Sequence, residues 1–187
     1  MSFLFNKALK ILLITNAFVL VAGAMIGPIY ALFVEEVGGS LLDASLSAGF
    51  FSLAAGITTI LAGKYADRKR KEKQIVSLGY FFMGLGFMLY MIVDSIIFLL
   101  VVQLIIGFAE ALYAPSFDSL YMRHVSSKKA GVEWGAWEGM SYFTQAGGAA
   151  LGGLIVVGFG FETIFIVMAL LCFASSAYIH HLPRKVL

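Results

Sequence analysis

The sequence is poor in charge and nearly lacks cysteine. Of its 187 residues only 13% are charged and 60% are hydrophobic, whereas a typical soluble domain has about 25% charged residues. With one cysteine, Cys172, no disulfide framework can form within the chain. A mean hydropathy of +0.92 excludes both a soluble globular domain and a disordered chain. The composition therefore predicts an all-α integral membrane protein.

The motifs of catalysis and metal binding are also missing. The sequence contains no Ser-His-Asp or Cys-His arrangement and no glycine-rich phosphate loop. Its three histidines have no metal-ligand spacing with the cysteine or with carboxylates. A net charge of +2 is too small to suggest nucleic-acid binding. We therefore expect no enzymatic activity, no metal, no cofactor and no nucleic-acid partner.

Long uncharged runs occupy nearly the whole chain. About 20 apolar residues cross roughly 30 Å of hydrocarbon as a helix. The runs predict a single six-helix transmembrane domain over residues 1–187, with helices at about 9–34, 44–64, 74–93, 95–119, 132–158 and 161–181. The first run, with Ala22-Gly23-Ala24, also resembles a secretory signal and its cleavage site. Because the run continues to Val34, we interpret it as an uncleaved helix.

The basic residues give the predicted orientation. All 13 Lys and Arg lie before helix 1, between helices 2 and 3, between helices 4 and 5, or after helix 6, and the alternate loops are acidic. The positive-inside rule then places both termini in the cytoplasm. The basic cluster within 64–73 could also attract anionic membrane lipid. We expect the plasma membrane of a bacterium or an archaeon.

The two halves of the chain show a weak similarity to each other. Pro28 and Pro115 lie 87 residues apart, each late in the first helix of its triplet. Helices 1 and 4 run in opposite directions, so the similarity predicts a 3+3 inverted repeat of the kind that secondary transporters use. Proline is also common in membrane helices, which leaves coincidence as the alternative.

The loop after helix 2 carries a family resemblance. Gly63 is followed after three residues by Asp67 and Arg68 and then by further basic residues. This resembles the signature between helices 2 and 3 of the major facilitator superfamily, and the six spans resemble the N-terminal half of that fold. The resemblance implies close helix packing at Gly63 and a cytoplasmic gate formed by Asp67 and Arg68, with Asp118 as the partner of Arg68. Arg70 stands near the position of the usual second glycine.

Helix 5 carries a second resemblance. Residues 148–153 are similar to the Gly-Pro-x-x-Gly-Gly core of the family's antiporter motif, with Ala149 in place of proline. The resemblance implies helix packing by Gly148, Gly152 and Gly153, and it suggests efflux. In helix 4, Gln103 stands four residues before a glycine where the family often has arginine. Glycines at 131, 135 and 139 predict a further packing strip.

The resemblance also implies a mechanism and a partner. Members of the family usually have two six-helix halves that alternate access to a central site. For this chain a second copy, arranged as a parallel homodimer, or another chain would supply the other half. We therefore expect a half-size secondary transporter of a small molecule, with proton-coupled efflux. The alternative is a non-transporting membrane subunit or a truncated remnant that needs a partner half.

Polar residues inside the predicted spans mark the candidate site. Gln103 and Glu110 in helix 4 lie seven residues apart, as do Glu138 and Gln145 in helix 5, so each pair shares a helix face. One hypothesis is that Glu110 and Glu138 share a coupling proton. The alternatives are hydrogen bonding between the helices and solvation of Glu138 at the membrane interface.

Further residues are candidates for the substrate path. They are polar or aromatic side chains in the membrane: Asn16, Tyr30, Gln103, Tyr113 and Gln145. A single buried Asn more often bonds to a neighbouring helix, and membrane aromatics more often serve packing. Carboxylates in the path mildly favour cations or amphipathic compounds. The sequence does not identify the substrate.

Overall fold

The computed structural model describes residues 6–69, 71–183 and 186–187, without the side chains of 63–70. In this part the regular structure is entirely helical. Its elements are α1 (Lys7–Ile26), α2 (Tyr30–Glu36), α3 (Leu41–Lys69), α4 (Glu72–Leu89), α5 (Ile96–His124) and α6 (Ala130–His181). Single turns of 3-10 helix, Gly27–Ile29 and Tyr90–Ile92, connect α1 to α2 and extend α4. The predicted all-α membrane fold is confirmed at this level.

The number of separate helices differs from the predicted six. Five helical segments of the described residues are long and apolar enough to cross a membrane: Lys7–Glu36, Leu41–Ala62, Glu72–Ile92, Ile96–His124 and Ala130–His181. The predicted fifth and sixth helices are joined in α6, which has 52 residues. At 1.5 Å per residue a straight helix of that length would measure roughly 78 Å, more than twice the hydrocarbon thickness.

A break at Gly160 interrupts α6. Its backbone has φ 80° and ψ 174°, a conformation that is essentially confined to glycine. We call the residues before it the N-terminal arm (130–159) and those after it the C-terminal arm (161–181). The break lies between the predicted fifth and sixth helices, 132–158 and 161–181, which the sequence divided at Glu162, the one charge in this apolar stretch.

Contacts with the first span give the direction of each arm. Gly148 packs on Val21 and Gly152 on Met25, whereas Ser175 contacts Thr15 and the rings of Phe165 and Phe33 lie 4.9 Å apart. The N-terminal arm therefore runs parallel to the first span, and the C-terminal arm runs antiparallel to it. The chain reverses its direction at Gly160.

Polar contacts join several helices at the end of the bundle that contains the start of α1. The Asn6 amide nitrogen donates to the carbonyl of His124 at 2.8 Å. The Lys73 ammonium donates to the carbonyl of His180 at 3.1 Å at the end of α6. Arg123, which precedes His124, forms an ion pair with Glu72, which precedes Lys73 and is buried. These contacts tie the ends of α1, α4, α5 and α6 together.

The glycines of the N-terminal arm differ in their surroundings. A Cβ added at Gly148 would lie 2.7 Å from the Ala24 Cβ, and one at Gly152 would collide with the Met25 backbone. These two glycines therefore allow α6 to approach α1 closely. A Cβ at Gly153 would meet no atom within 4 Å, and the same holds at 131, 135 and 139. The expected packing strip at 131, 135 and 139 is not used within the described part of the chain.

Candidate functional site

A cavity of about 420 Å³ lies between α1, α3, α4, α5 and the N-terminal arm of α6. Its walls are mainly apolar, and small residues of α1 leave space at its centre. Besides the Tyr90 hydroxyl, the lining carries five polar side chains: Tyr30, Gln103, Glu110, Tyr113 and Gln145. Apolar walls with few polar groups are typical of small-molecule sites. The sequence predicted all five, because each is polar or aromatic within an apolar run.

A directed series of hydrogen bonds starts from two residues of the cavity lining, Gln103 and Tyr30. The Gln103 amide nitrogen donates to the Tyr30 hydroxyl at 2.5 Å, and the Tyr30 hydroxyl lies 2.7 Å from Ser47 Oγ. Ser47 donates in turn to the carbonyl of Ala44 at 2.8 Å, so Tyr30 is the donor to Ser47. This chain links α5, α2 and α3. Ser47 was not predicted, because a single serine in an apolar run gives no signal of its own.

Glu110 is the acidic residue of the cavity. It is half-buried, and among the described residues no Lys or Arg lies within ion-pair distance of it. A carboxylate in low dielectric is costly unless it is paired, neutralised or directed at an aqueous space. Glu110 is therefore the lining group best suited to receive a proton or the positive end of a ligand.

The structure does not bring Glu138 to Glu110. Glu138 is exposed and absent from the cavity lining. It lies close enough to Asp118 for the two carboxylates to interact electrostatically. The seven-residue spacing fixed each glutamate relative to its own helix, but it did not fix the rotation of the N-terminal arm against α5. In this arrangement Gln145 faces the cavity, and the predicted pairing of Glu110 with Glu138 is not formed.

Asn16 lies outside the cavity lining, although it was a candidate for the substrate path. It is buried, and its side-chain oxygen accepts a hydrogen bond of 2.8 Å from the Tyr80 hydroxyl. The Tyr80 ring packs on the Tyr113 ring with centroids 4.8 Å apart. Asn16 therefore holds Tyr80 in place, and Tyr80 supports a wall of the cavity at Tyr113.

The gate motif falls mostly outside the described side chains. This applies to Gly63, Asp67 and Arg68, which the backbone of α3 includes. Asp118 is exposed on α5. The ion pair between Arg123 and Glu72 was not predicted, since nothing in the sequence distinguishes these two residues from the other loop charges.

A second cavity of about 460 Å³ lies at the opposite end of the bundle from the Arg123–Glu72 ion pair. It is bordered by the acidic residues Glu36, Asp94 and Glu162 and by aromatic rings. Tyr90 is almost fully buried and lines both this cavity and the central one. Its side chain therefore stands between the two spaces. Nothing in the sequence distinguishes Tyr90 from the other seven of the eight tyrosines.

Comparisons with known proteins identify a family and relatives of similar sequence. The sequence model of one protein family, described as the Major Facilitator Superfamily, matches residues 12–186. The chain is 22% identical over 179 residues to "Multidrug resistance protein MdtG" of Rahnella sp. (strain Y9602), covering 92% of this chain and 42% of that protein. It is 23% identical over 176 residues to the protein of the same name from Escherichia coli (strain SMS-3-5 / SECEC), covering 92% and 43%. The chain thus spans about two fifths of the length of these relatives.

Proposed function

The chain belongs to the major facilitator superfamily, and we propose from this membership and from the cavity that it forms half of a secondary active transporter. The family match supports membrane transport as the activity, and it does not support enzymatic catalysis. The small molecule would bind in the central cavity. The coupling ion would be a proton, and the direction would be efflux.

The observation that carries the proposal is Glu110, which lines an apolar cavity and has no ion-pair partner among the described residues. The low dielectric of such a site favours the neutral form of a carboxyl group, whereas a bound cation favours the charged form. A proton and a cationic or amphipathic substrate would therefore compete for Glu110. Competition of this kind couples the movement of one to the opposite movement of the other. The names of the relatives, which describe multidrug resistance, are in keeping with an amphipathic substrate.

The reversal at Gly160 supports a division into six membrane spans. The two arms of α6 would each cross the bilayer, in opposite directions, and the remaining four segments would cross once each. Both termini would then lie on the same side, and the positive-inside rule makes that side the cytoplasm. The inverted repeat remains part of the proposal. Pro28 lies in the 3-10 turn of the first span, whereas Pro115 lies inside the continuous helix α5.

The exposed faces of α3 and of the N-terminal arm support a second six-helix unit. Polar side chains at depth in the bilayer are expensive when they face lipid, and they normally face protein or water. Exposed polar residues on these helices include Ser45, Ser52, Glu138 and Gln145. A second copy of the chain, parallel to the first, would cover these faces and close the cavity. Rocking of the two units would give alternating access.

Transport is tested with the purified chain in proteoliposomes. A pH gradient is imposed, and the movement of tetraphenylphosphonium, a lipophilic cation, is followed with a selective electrode. We expect gradient-driven movement by the wild type and none by Glu110→Gln, because the amide cannot exchange a proton. The matched control is Glu35→Gln, which changes an exposed carboxylate outside the cavity and should retain most of the activity. Equal activity of Glu110→Gln and the wild type would contradict the coupling role.

Assembly is tested by native mass spectrometry from nanodiscs. Two copies would give about twice 20.3 kDa, and a homodimer is the expected result. A strict monomer that also fails to move the probe would contradict the homodimeric transporter and favour a subunit that needs a different partner.

A further inference from the structure

An apolar groove of about 380 Å³ runs along the outside of the bundle between α1 and the C-terminal arm of α6. On α1 it is lined by Ile11, Ile14, Thr15 and Phe18, and on α6 by Ala174, Ser175 and Tyr178. We propose that this groove, together with Lys7 and Lys10, binds one anionic phospholipid, with an acyl chain in the groove and the phosphate at the two lysines. The inference requires a bilayer location, but it does not depend on transport.

The groove presents mainly hydrocarbon although three of its lining residues, Thr15, Ser175 and Tyr178, carry hydroxyl groups, of which the first two lie away from the Tyr178 end. Thr15 Oγ1 donates to the carbonyl of Ile11 at 2.8 Å, and Ser175 Oγ donates to the carbonyl of Thr15 at 2.9 Å. Both hydroxyl groups therefore have their hydrogen-bond donors satisfied inside the protein. The Ser175 hydrogen bond also joins the two helices that form the walls, so it fixes the distance between them. An apolar groove between fixed walls suits an acyl chain.

Two basic residues of α1, Lys7 and Lys10, lie at one end of the groove. In a helix, residues three and four apart lie on one face, so Lys7 is one turn before Ile11 and Lys10 is one turn before Ile14. Both lysines therefore continue the face of α1 that lines the groove. Lysines at helix ends extend their ammonium groups toward the headgroup region. On the α6 side, Tyr178 and then His181 lead to the same end of the bundle, where α1 begins.

Charge complementarity identifies the headgroup. A zwitterionic lipid carries its own ammonium group, which the two lysines would repel. Phosphatidylglycerol has a net negative charge and no ammonium group, and basic pockets at the ends of transmembrane helices favour anionic headgroups. In the described residues, no acidic side chain forms an ion pair with Lys7 or Lys10. The lysines are therefore available to the phosphate.

The test is a lipid titration of the purified full chain, followed by native mass spectrometry. Phosphatidylglycerol and phosphatidylcholine with identical acyl chains are compared. We expect one tightly bound phosphatidylglycerol per chain and weaker phosphatidylcholine. Each lysine near an anionic headgroup contributes roughly fivefold in affinity, so the double variant Lys7→Gln/Lys10→Gln should bind phosphatidylglycerol about 25-fold more weakly than the wild type. The control is Lys128→Gln/Lys129→Gln, which removes two exposed lysines at the same end of the bundle.

A second variant tests the groove itself. Ala174→Trp would fill the groove from the C-terminal arm and should weaken the binding of both lipids. Val157→Trp, at a position that is 91% exposed and away from the groove, is its control. Equal affinity for the two lipids would overturn the proposal. An equal loss of affinity in the two double-lysine variants would also overturn it, because diffuse electrostatic attraction would then explain the binding. Unchanged binding by Ala174→Trp would also overturn it.

Discussion

The substitution Gly152→Ala tests whether the close approach of α6 to α1 stabilises the fold. An alanine Cβ at this position would lie 2.6 Å from the Met25 carbonyl carbon and 2.7 Å from its Cα. Carbon atoms pack optimally at about 3.5–4.0 Å, so the two helices would have to separate by roughly 1 Å at this point. The obstacle is backbone, which cannot rotate away as a side chain could. Overpacking of this kind costs about 1–3 kcal/mol.

Gly153→Ala is the matched control, since it makes the same chemical change one residue later. A Cβ at Gly153 meets no atom within 4 Å. Replacing glycine by alanine in a helix contributes up to roughly 1 kcal/mol through helix propensity, and both variants gain it. The difference between them therefore isolates the packing cost, and we expect Gly152→Ala to be less stable by about 1–3 kcal/mol. The free energy of unfolding is measured by SDS titration in mixed micelles. Equal stability of the two variants would refute the close contact between α6 and α1.

Three further predictions use the same unfolding measurement. Tyr30→Phe removes the central hydroxyl of the Gln103–Tyr30–Ser47 hydrogen bonds and should lower the free energy of unfolding by about 1–3 kcal/mol. It should also weaken the equilibrium binding of tetraphenylphosphonium, and unchanged binding would show that these hydrogen bonds do not contribute to the binding site. Gly160→Ala should cost about 1–3 kcal/mol because of its positive φ, whereas Gly158→Ala, with open space and no positive φ, should cost nothing. Arg123→Gln leaves Glu72 buried without its partner and should cost roughly 1–3 kcal/mol, and adding Glu72→Gln should restore part of this; no recovery in the double variant would argue against a coupled pair.

Hydropathy predicted the membrane helices because a bilayer demands an apolar surface wherever a helix crosses it. It could not predict the form of the reversal at Gly160. The apolar sequence is nearly continuous there, and a glycine with positive φ allows the chain to turn within one residue. A turn of this kind needs no polar loop and leaves no gap in the pattern.

The candidate site was predictable as a set of residues but not as an arrangement. Intramembrane polar groups are conspicuous in an apolar sequence, and four of the five substrate-path candidates line the cavity together with Glu110. Asn16 is the exception. Its partner Tyr80 lies 64 residues away, and only the packing of α1 against α4 decides that the two side chains meet. Ser47 and Tyr90 were missed for the same reason.

The separation of Glu138 from Glu110 changes what each carboxylate can do. Glu110 faces a cavity that residues of this chain form by themselves, so its interaction with a ligand or a proton needs no second unit. Glu138 and Asp118 are both exposed, and they lie near each other on a face that no described residue covers. Two neighbouring carboxylates on a face that becomes buried would repel each other unless the partner supplies positive charge or a proton binds. In the proposed assembly their charge would therefore act on the contact with the second unit, whereas the charge of Glu110 would act on what the cavity binds.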